Sequence, residues 1–161
     1  KVYKIFGPGN QYVTAAKQQV SLRDVAIDMP AGPSEVEVLA DETANPVFVA
    51  ADLLSQAEHG VDSQSMLITT SEKLMKEVEY EVQRQLALLP RWEIAEKSLE
   101  NSKLILVRDM DEAIDLTNEY APEHLIIETK DYMEQAERIV NAGSVFLGSL
   151  TPESEIGRAH V

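Results

Sequence analysis

EVEVLADETANPVFVAADLLSQAEHG, residues 35 to 60, is the stretch whose reading decides the fold. Glu35 to Leu39 has the length and the branched apolar content of a strand. Asn45 then stands before Pro46, an N-cap followed by proline at the first helical position, where the missing N–H costs nothing. The helix is expected to run to about His59, with Gly60 stopping it by adopting a positive φ. Strand, turn and helix in direct succession make one unit of an α/β sheet, the kind whose next strand returns in parallel.

The same alternation extends in both directions. Toward the C-terminus, a strand is expected around Ser65 to Ile68. A helix capped by Ser71 then carries one apolar stripe, Leu74, Met75, Val78, Val82, Leu86 and Leu89, until Pro90 breaks it. Leu104 to Val107 reads as a buried strand. Asp109 with Glu112 has the spacing of a capping box opening a helix to Tyr120. His124 to Ile127 is the next strand, and Asp131 with Glu134 repeats the capping spacing before a helix carrying Met133, Ala136, Ile139 and Val140. Ser144 to Leu147 is the last strand. Toward the N-terminus, a strand from Val2 to Phe6 meets Gly7, Pro8, Gly9 and Asn10, then a helix to about Val20 and a short run from Val25 to Ile27. Met29, Pro30, Ala31, Gly32, Pro33 and Ser34 suit a crossing between structural units better than a regular element. The expectation is an α/β, Rossmann-like fold with a largely parallel sheet flanked by helices. Residues 1–33 form part of a second α/β domain, and the main domain starts at residue 34.

Composition narrows the function classes. At 161 residues, 44% hydrophobic and 26% charged, the chain has the makeup of a globular domain. The absence of cysteine excludes disulfides and thiolate metal sites, so any transition metal must be held by imidazole, carboxylate or amide. A net charge of -14, with 28 acidic residues against 14 basic, repels phosphate backbones and argues against nucleic acid and anionic membranes. Most of those charges read as solvated helix faces. There is no apolar run of about eighteen residues and no signal-peptide pattern, so a cytoplasmic location is expected.

Four constellations carry possible chemistry. Gly7 to Asn10, between a strand and a helix, suits either a structural turn or a loop receiving an anion or cofactor on free N–H groups. Gln56 and His59, three apart at a helix end, are either a polar helix terminus or half of a metal site. Glu123 and His124 enter a strand. They are either a surface glutamate beside a half-buried histidine or an acid–base pair at a sheet end where α/β proteins bind ligands. Ser34 is a turn serine or a hydroxyl offered to a substrate.

The blocks IFGPGN from Ile5, IDMPAGPSEV from Ile27, DLLSQAEHG from Asp52, APEHL from Ala121 and AGSVFLG from Ala142 closely resemble histidinol dehydrogenases, in the same order. The resemblance covers residues 1 to about 154 but only the central part of that family's longer polypeptide. It implies oxidation of L-histidinol to L-histidine through the aldehyde, in two NAD-linked steps, with Zn2+ in each site of a homodimer. On the same basis, Gln56 and His59 resemble two zinc ligands that also line the substrate pocket, Ser34 a substrate contact and Asn10 a contact to NAD. His124 resembles the general base that takes the alcohol proton and also a substrate contact. Glu123 resembles the group that activates water for attack on the aldehyde. Residues 1–33 would then belong to the cofactor-side domain and residues 34–154 to an incomplete substrate and zinc domain.

After Pro152, Glu153 and Ser154 the family pattern continues with Ala-Gly-Asp, the aspartate being a zinc ligand, whereas Glu155, Ile156 and Gly157 stand here. Residues 155–161 are expected to be a non-native tail matching one reading frame of a sequencing adapter, so His160 is not counted as a ligand. The third ligand, and the glutamate and histidine that the family's C-terminal segment contributes, fall outside the pattern present. The 161-residue chain alone is therefore expected to be inactive. The competing expectations are a non-catalytic binding or interaction domain on the same scaffold, and a related NAD-dependent dehydrogenase of another amino alcohol.

Overall fold

The computed structural model describes residues 2–7, 11–23, 25–27 and 34–151, and the chain divides into two compact units, Lys1–Pro33 and Ser34–Val161. In the first, β1 (Lys4–Ile5) pairs in parallel with β2 (Ala26–Ile27), and α1 (Gln11–Ser21) lies between them in sequence. β1 is shorter than the strand expected over Val2 to Phe6. Tyr3 and Phe6 stand exposed, because a two-stranded sheet has little apolar surface on which to bury them. The Pro-rich crossing and Pro8, Gly9 and Asn10 lie outside the described residues.

In the second unit five strands, β3 (Glu35–Ala40), β4 (Gln64–Thr69), β5 (Lys103–Leu106), β6 (His124–Glu128) and β7 (Ser144–Leu147), form one sheet. Their order is β5-β4-β3-β6-β7 and every pairing is parallel. The chain winds outward from β3 first one way and then the other, the doubly wound Rossmann-like order expected of alternating strand and helix patterns. The intervening helices are α2 (Pro46–Ala57), α3 (Glu72–Leu86), α4 (Trp92–Leu99), α5 (Met110–Tyr120) and α6 (Tyr132–Glu137).

Alternation along the central strands feeds two cores. Val36, Val38, Leu67 and Ile126 face α2, α3 and α4, meeting Val49, Leu53, Leu74, Val78 and Ala95. Leu39, Ile68, Leu125 and Ile127 face the opposite way, against Ala113 and Ile114 of α5. Burial on both faces explains the near-continuous apolar runs of these strands.

Several local expectations need correction. Gly60 is not at positive φ, and α2 ends at Ala57 in a right-handed turn closed by Glu58 N–H to Leu54 O and His59 N–H to Gln56 O, so no left-handed residue is required. α3 stops at Leu86, before Pro90, and α4 follows, a helix of two turns that buries only Ala95 and Ser98 and so presents no apolar stripe in the sequence. β5 is an edge strand, not a buried one: it pairs only with β4, leaving Leu104 and Leu106 exposed. α6 ends at Glu137, so Ile139 and Val140 lie beyond it, and Asp131 makes no side-chain capping bond.

Asp109 does cap α5, its Oδ1 accepting from Glu112 N at 2.9 Å, while Glu112 Oε2 accepts from Arg108 N at 2.8 Å rather than from the cap residue itself. Asp109→Ala is accordingly expected to lower stability by about 1 kcal/mol and Asp131→Ala to leave the urea midpoint unchanged. Equal shifts for the two would contradict the cap assignment. Among the described residues no helix is long and apolar enough to cross a membrane.

Candidate functional site

Glu123 and His124 stand where β6 begins, beside the start of β3, whose Val36 is in register with His124. The chain reaches this point from α5 through Ala121, whose φ of 55° and ψ of 61° are left-handed, and then through buried Pro122. That single residue turns the helix into a strand, its N–H still bonded to Thr117 O at 2.8 Å. The side chain of His124 is 15% exposed and that of Glu123 51%, with 3.9 Å between His124 Nε2 and Glu123 Oε1. Glu123 Oε2 also accepts from Glu35 N at 3.4 Å. The imidazole meets Phe146 of β7 edge to face, centroids 6.3 Å apart. A half-covered imidazole beside a water-accessible carboxylate sets a proton acceptor next to a group open to solvent.

Ser34 lies immediately before β3, half-buried, its carbonyl accepting from Gln64 N at 3.1 Å. Gln56 sits in the last turn of α2. Ser65, early in β4, donates its hydroxyl to Leu53 O at 2.7 Å, which brings that end of α2 toward the amino ends of the strands. Ser34, Gln56, Glu123 and His124 therefore belong to the same edge of the sheet. That edge is the amino end of the strands, which corrects the expectation drawn from the general rule that doubly wound sheets bind at their carboxyl ends. A residue entering a parallel strand is necessarily at its amino end. The opposite end of the central pair carries Glu128, 4% exposed, whose carboxyl is held well above the usual range by burial and by the negative charge of Asp52.

Gln56 is wholly buried, yet neither its amide oxygen nor its nitrogen has a hydrogen-bond partner among the described residues. A buried amide left unpaired costs about 1–3 kcal/mol, so its position asks for a ligand. His59 lies past the helix end and is exposed, so helical spacing does not set its direction toward Gln56. No group of three or more His, Cys, Asp or Glu side chains placed to hold a metal occurs among the described residues. Asn10 lies outside them. Two contributors were not legible as such in the sequence. Phe146 read only as a strand residue, and Gly143, against the Glu123 backbone, read only as part of a matching block.

A family model described as histidinol dehydrogenase matches residues 1–158. Histidinol dehydrogenase of Bacteroides thetaiotaomicron is 85% identical over 154 residues, covering 96% of this chain and 36% of that protein. A crystal structure of histidinol dehydrogenase from Elizabethkingia anophelis superposes with a TM-score of 0.93 at 55% identity, covering 96% of this chain and 36% of that one. Gamma-glutamyl phosphate reductase of Thermotoga maritima, at 17% identity and a TM-score of 0.60, shares the fold alone. The fold and its structural neighbours place the chain in the class of doubly wound, parallel-sheet α/β proteins. Within that class it belongs to the histidinol dehydrogenase family, and it spans about a third of the length of the curated relatives it matches.

Proposed function

We propose that this chain supplies the acid–base pair and half of the metal-binding residues of an enzyme that oxidises L-histidinol to L-histidine with two NAD. The observation that carries the reading is the adjacent Glu123 and His124 at the start of β6, one half-covered and one open to water, beside Ser34 at the start of β3. His124 takes the proton of the alcohol as its C–H hydride leaves. Glu123 then removes a proton from the water that adds to the aldehyde carbonyl, and the hydrate gives a second hydride to NAD as one of its hydroxyl protons passes to His124, the resulting acid releasing its last proton to solvent to leave the carboxylate. Ser34 orients the substrate through its hydroxyl. Gln56 and His59 are the residues that would hold zinc, and Asn10 would touch NAD. When bound, zinc anchors and orients the substrate's imidazole and amine, and NAD accepts the hydrides.

The buried amide of Gln56, without a partner among the described residues, supports the metal assignment. The remaining ligands, the homodimer and a cytoplasmic location are part of the proposal by family membership. The reading is tested in a full-length enzyme obtained by placing the matched residues of this chain in the corresponding stretch of the B. thetaiotaomicron protein. It is expected to form NADH from L-histidinol in preference to other amino alcohols, and preference for another amino alcohol would favour the related-dehydrogenase reading. The 161-residue chain alone is expected to form none.

Gln56→Met is expected to have opposite effects in the two settings. In the metal-free 161-residue chain it removes, at nearly constant shape, a buried amide with no partner among the described residues, and raises stability by about 1–2 kcal/mol. In the full-length enzyme it weakens zinc by more than the roughly 10–100-fold that loss of an outer-sphere partner costs. Destabilisation of the metal-free chain, with zinc affinity unchanged, would sink the assignment.

A further inference from the structure

We propose that Asn118 and Gly143 are positioning residues for Glu123 and His124, holding the loop before β7 as a buttress against the start of β6. The proposal rests on the reading of Glu123 and His124 given above. Asn118, half-buried on α5, makes four hydrogen bonds across to one segment. Its Oδ1 accepts from Val140 N at 2.8 Å and from Asn141 N at 3.2 Å, and its Nδ2 donates to Arg138 O at 3.1 Å. Asn141 Nδ2 returns a bond to Asn118 O at 3.0 Å. The helix that leads into Glu123 is thereby tied to the segment that leads into β7.

Two residues after Asn141, the same segment reaches the acid–base pair itself. Gly143 N donates to Pro122 O and Ser144 N to Glu123 O, both at 2.9 Å. A Cβ on Gly143 would lie 2.5 Å from Glu123 O and 3.3 Å from its carbonyl carbon and Cα. Only glycine permits that approach, and the obstacle is backbone, which has nowhere to turn. The carbonyls of the two residues before His124 are thus pinned from one side, while left-handed Ala121 and buried Pro122 fix the chain from the other. Phe146, three residues beyond Gly143 on the same segment, packs against the imidazole. A shift of the loop therefore moves both the peptide that carries the pair and the wall beside the ring. Neither Asn118 nor Gly143 is assigned a contact with the reacting atoms; their effect passes through the direction in which Glu123 and His124 project.

The test compares Asn118→Leu, Asn118→Asp and Gly143→Ala. In the 161-residue chain, Asn118→Leu is expected to speed amide exchange at Gly143 and Ser144 at least about tenfold while Val38 and Leu39 in the sheet centre keep their protection. In the full-length enzyme it is expected to lower kcat roughly 10–100-fold, the scale of an ångström-sized misplacement, with KM for NAD and zinc content unchanged. Asn118→Asp retains the acceptor for Val140 and Asn141 but sets a carboxylate oxygen against Arg138 O in place of the donor, so it is expected to restore only part of the rate lost in Asn118→Leu. Gly143→Ala is expected to lose more; should it fail to fold, the Asn118 pair still decides. Uniformly faster exchange, including Val38 and Leu39, or an unchanged kcat in Asn118→Leu, overturns the proposal. If the unmodified full-length enzyme forms no NADH from histidinol, the acid–base reading fails, and the buttress is then judged by the exchange data alone.

Discussion

Replacing His124 with asparagine in the full-length enzyme is expected to lower kcat for histidinol oxidation by about 10²–10⁴-fold, the usual contribution of a positioned general base. Asparagine keeps hydrogen-bonding capacity at the start of β6 but cannot act as a base, so proton transfer is lost together with the single edge contact to Phe146. Zinc content and the thermal midpoint should stay close to those of the unmodified enzyme, because the ring is edge-packed rather than deep in the core. The measurement is kcat over a range of pH. The loss is expected at every pH tested, since no side chain at this position then accepts the proton. A rate within threefold of the parent would contradict the role.

Glu37→Gln is expected to produce the largest change in stability with pH. Glu37 is fully buried in the central strand β3, its Oε1 accepting from Thr117 Oγ1 at 2.5 Å, and burial raises its pKa from 4.5 to about 7. Between those values the folded chain holds a proton that the unfolded chain has released. Stability is therefore full below the unfolded pKa and declines as pH rises toward 7, by at most about 1.4 kcal/mol per pH unit. Buried Glu128, also raised, adds loss in the same direction. The neutral amide keeps the bond from Thr117 without an ionisable proton. Glu37→Gln should therefore be more stable than the parent by about 2 kcal/mol at pH 8, a rise of about 4–8 °C in Tm for a chain of this size, and nearly equal to it at pH 4.5. Thermal melts at both pH values check this. A constant difference between them would show that Glu37 does not titrate in the fold.

The sequence made most of the fold legible because its strongest signals are local. Asn45 with Pro46, Ser71 and Asp109 mark helix starts that the structure reproduces, each with its capping bond. Val36, Val38 and Leu39 read as a strand because both faces of β3 are covered. Misreadings arose where tertiary context overrides pattern. Leu104 and Leu106 have a buried strand's composition but sit on the sheet edge, and Asp131 has a cap's spacing without its bond. The candidate site divides in the same way. Glu123 and His124 are adjacent in sequence, so their pairing could be anticipated, whereas the end of the sheet they occupy depends on strand direction. The hold of Asn118 on residues 138–141 joins segments twenty and more positions apart and leaves no local pattern. That the Gln56 amide has no partner among the described residues is likewise a property of packing alone.

The most direct test of the acid–base assignment is the NADH yield in a single turnover, with full-length enzyme in excess over histidinol. Two NADH for each histidinol are expected in the parent, one in Glu123→Gln because oxidation stops at the aldehyde, and neither on the same timescale in His124→Asn. Two NADH from Glu123→Gln at the parental rate, or an undiminished first step in His124→Asn, would contradict the assignment.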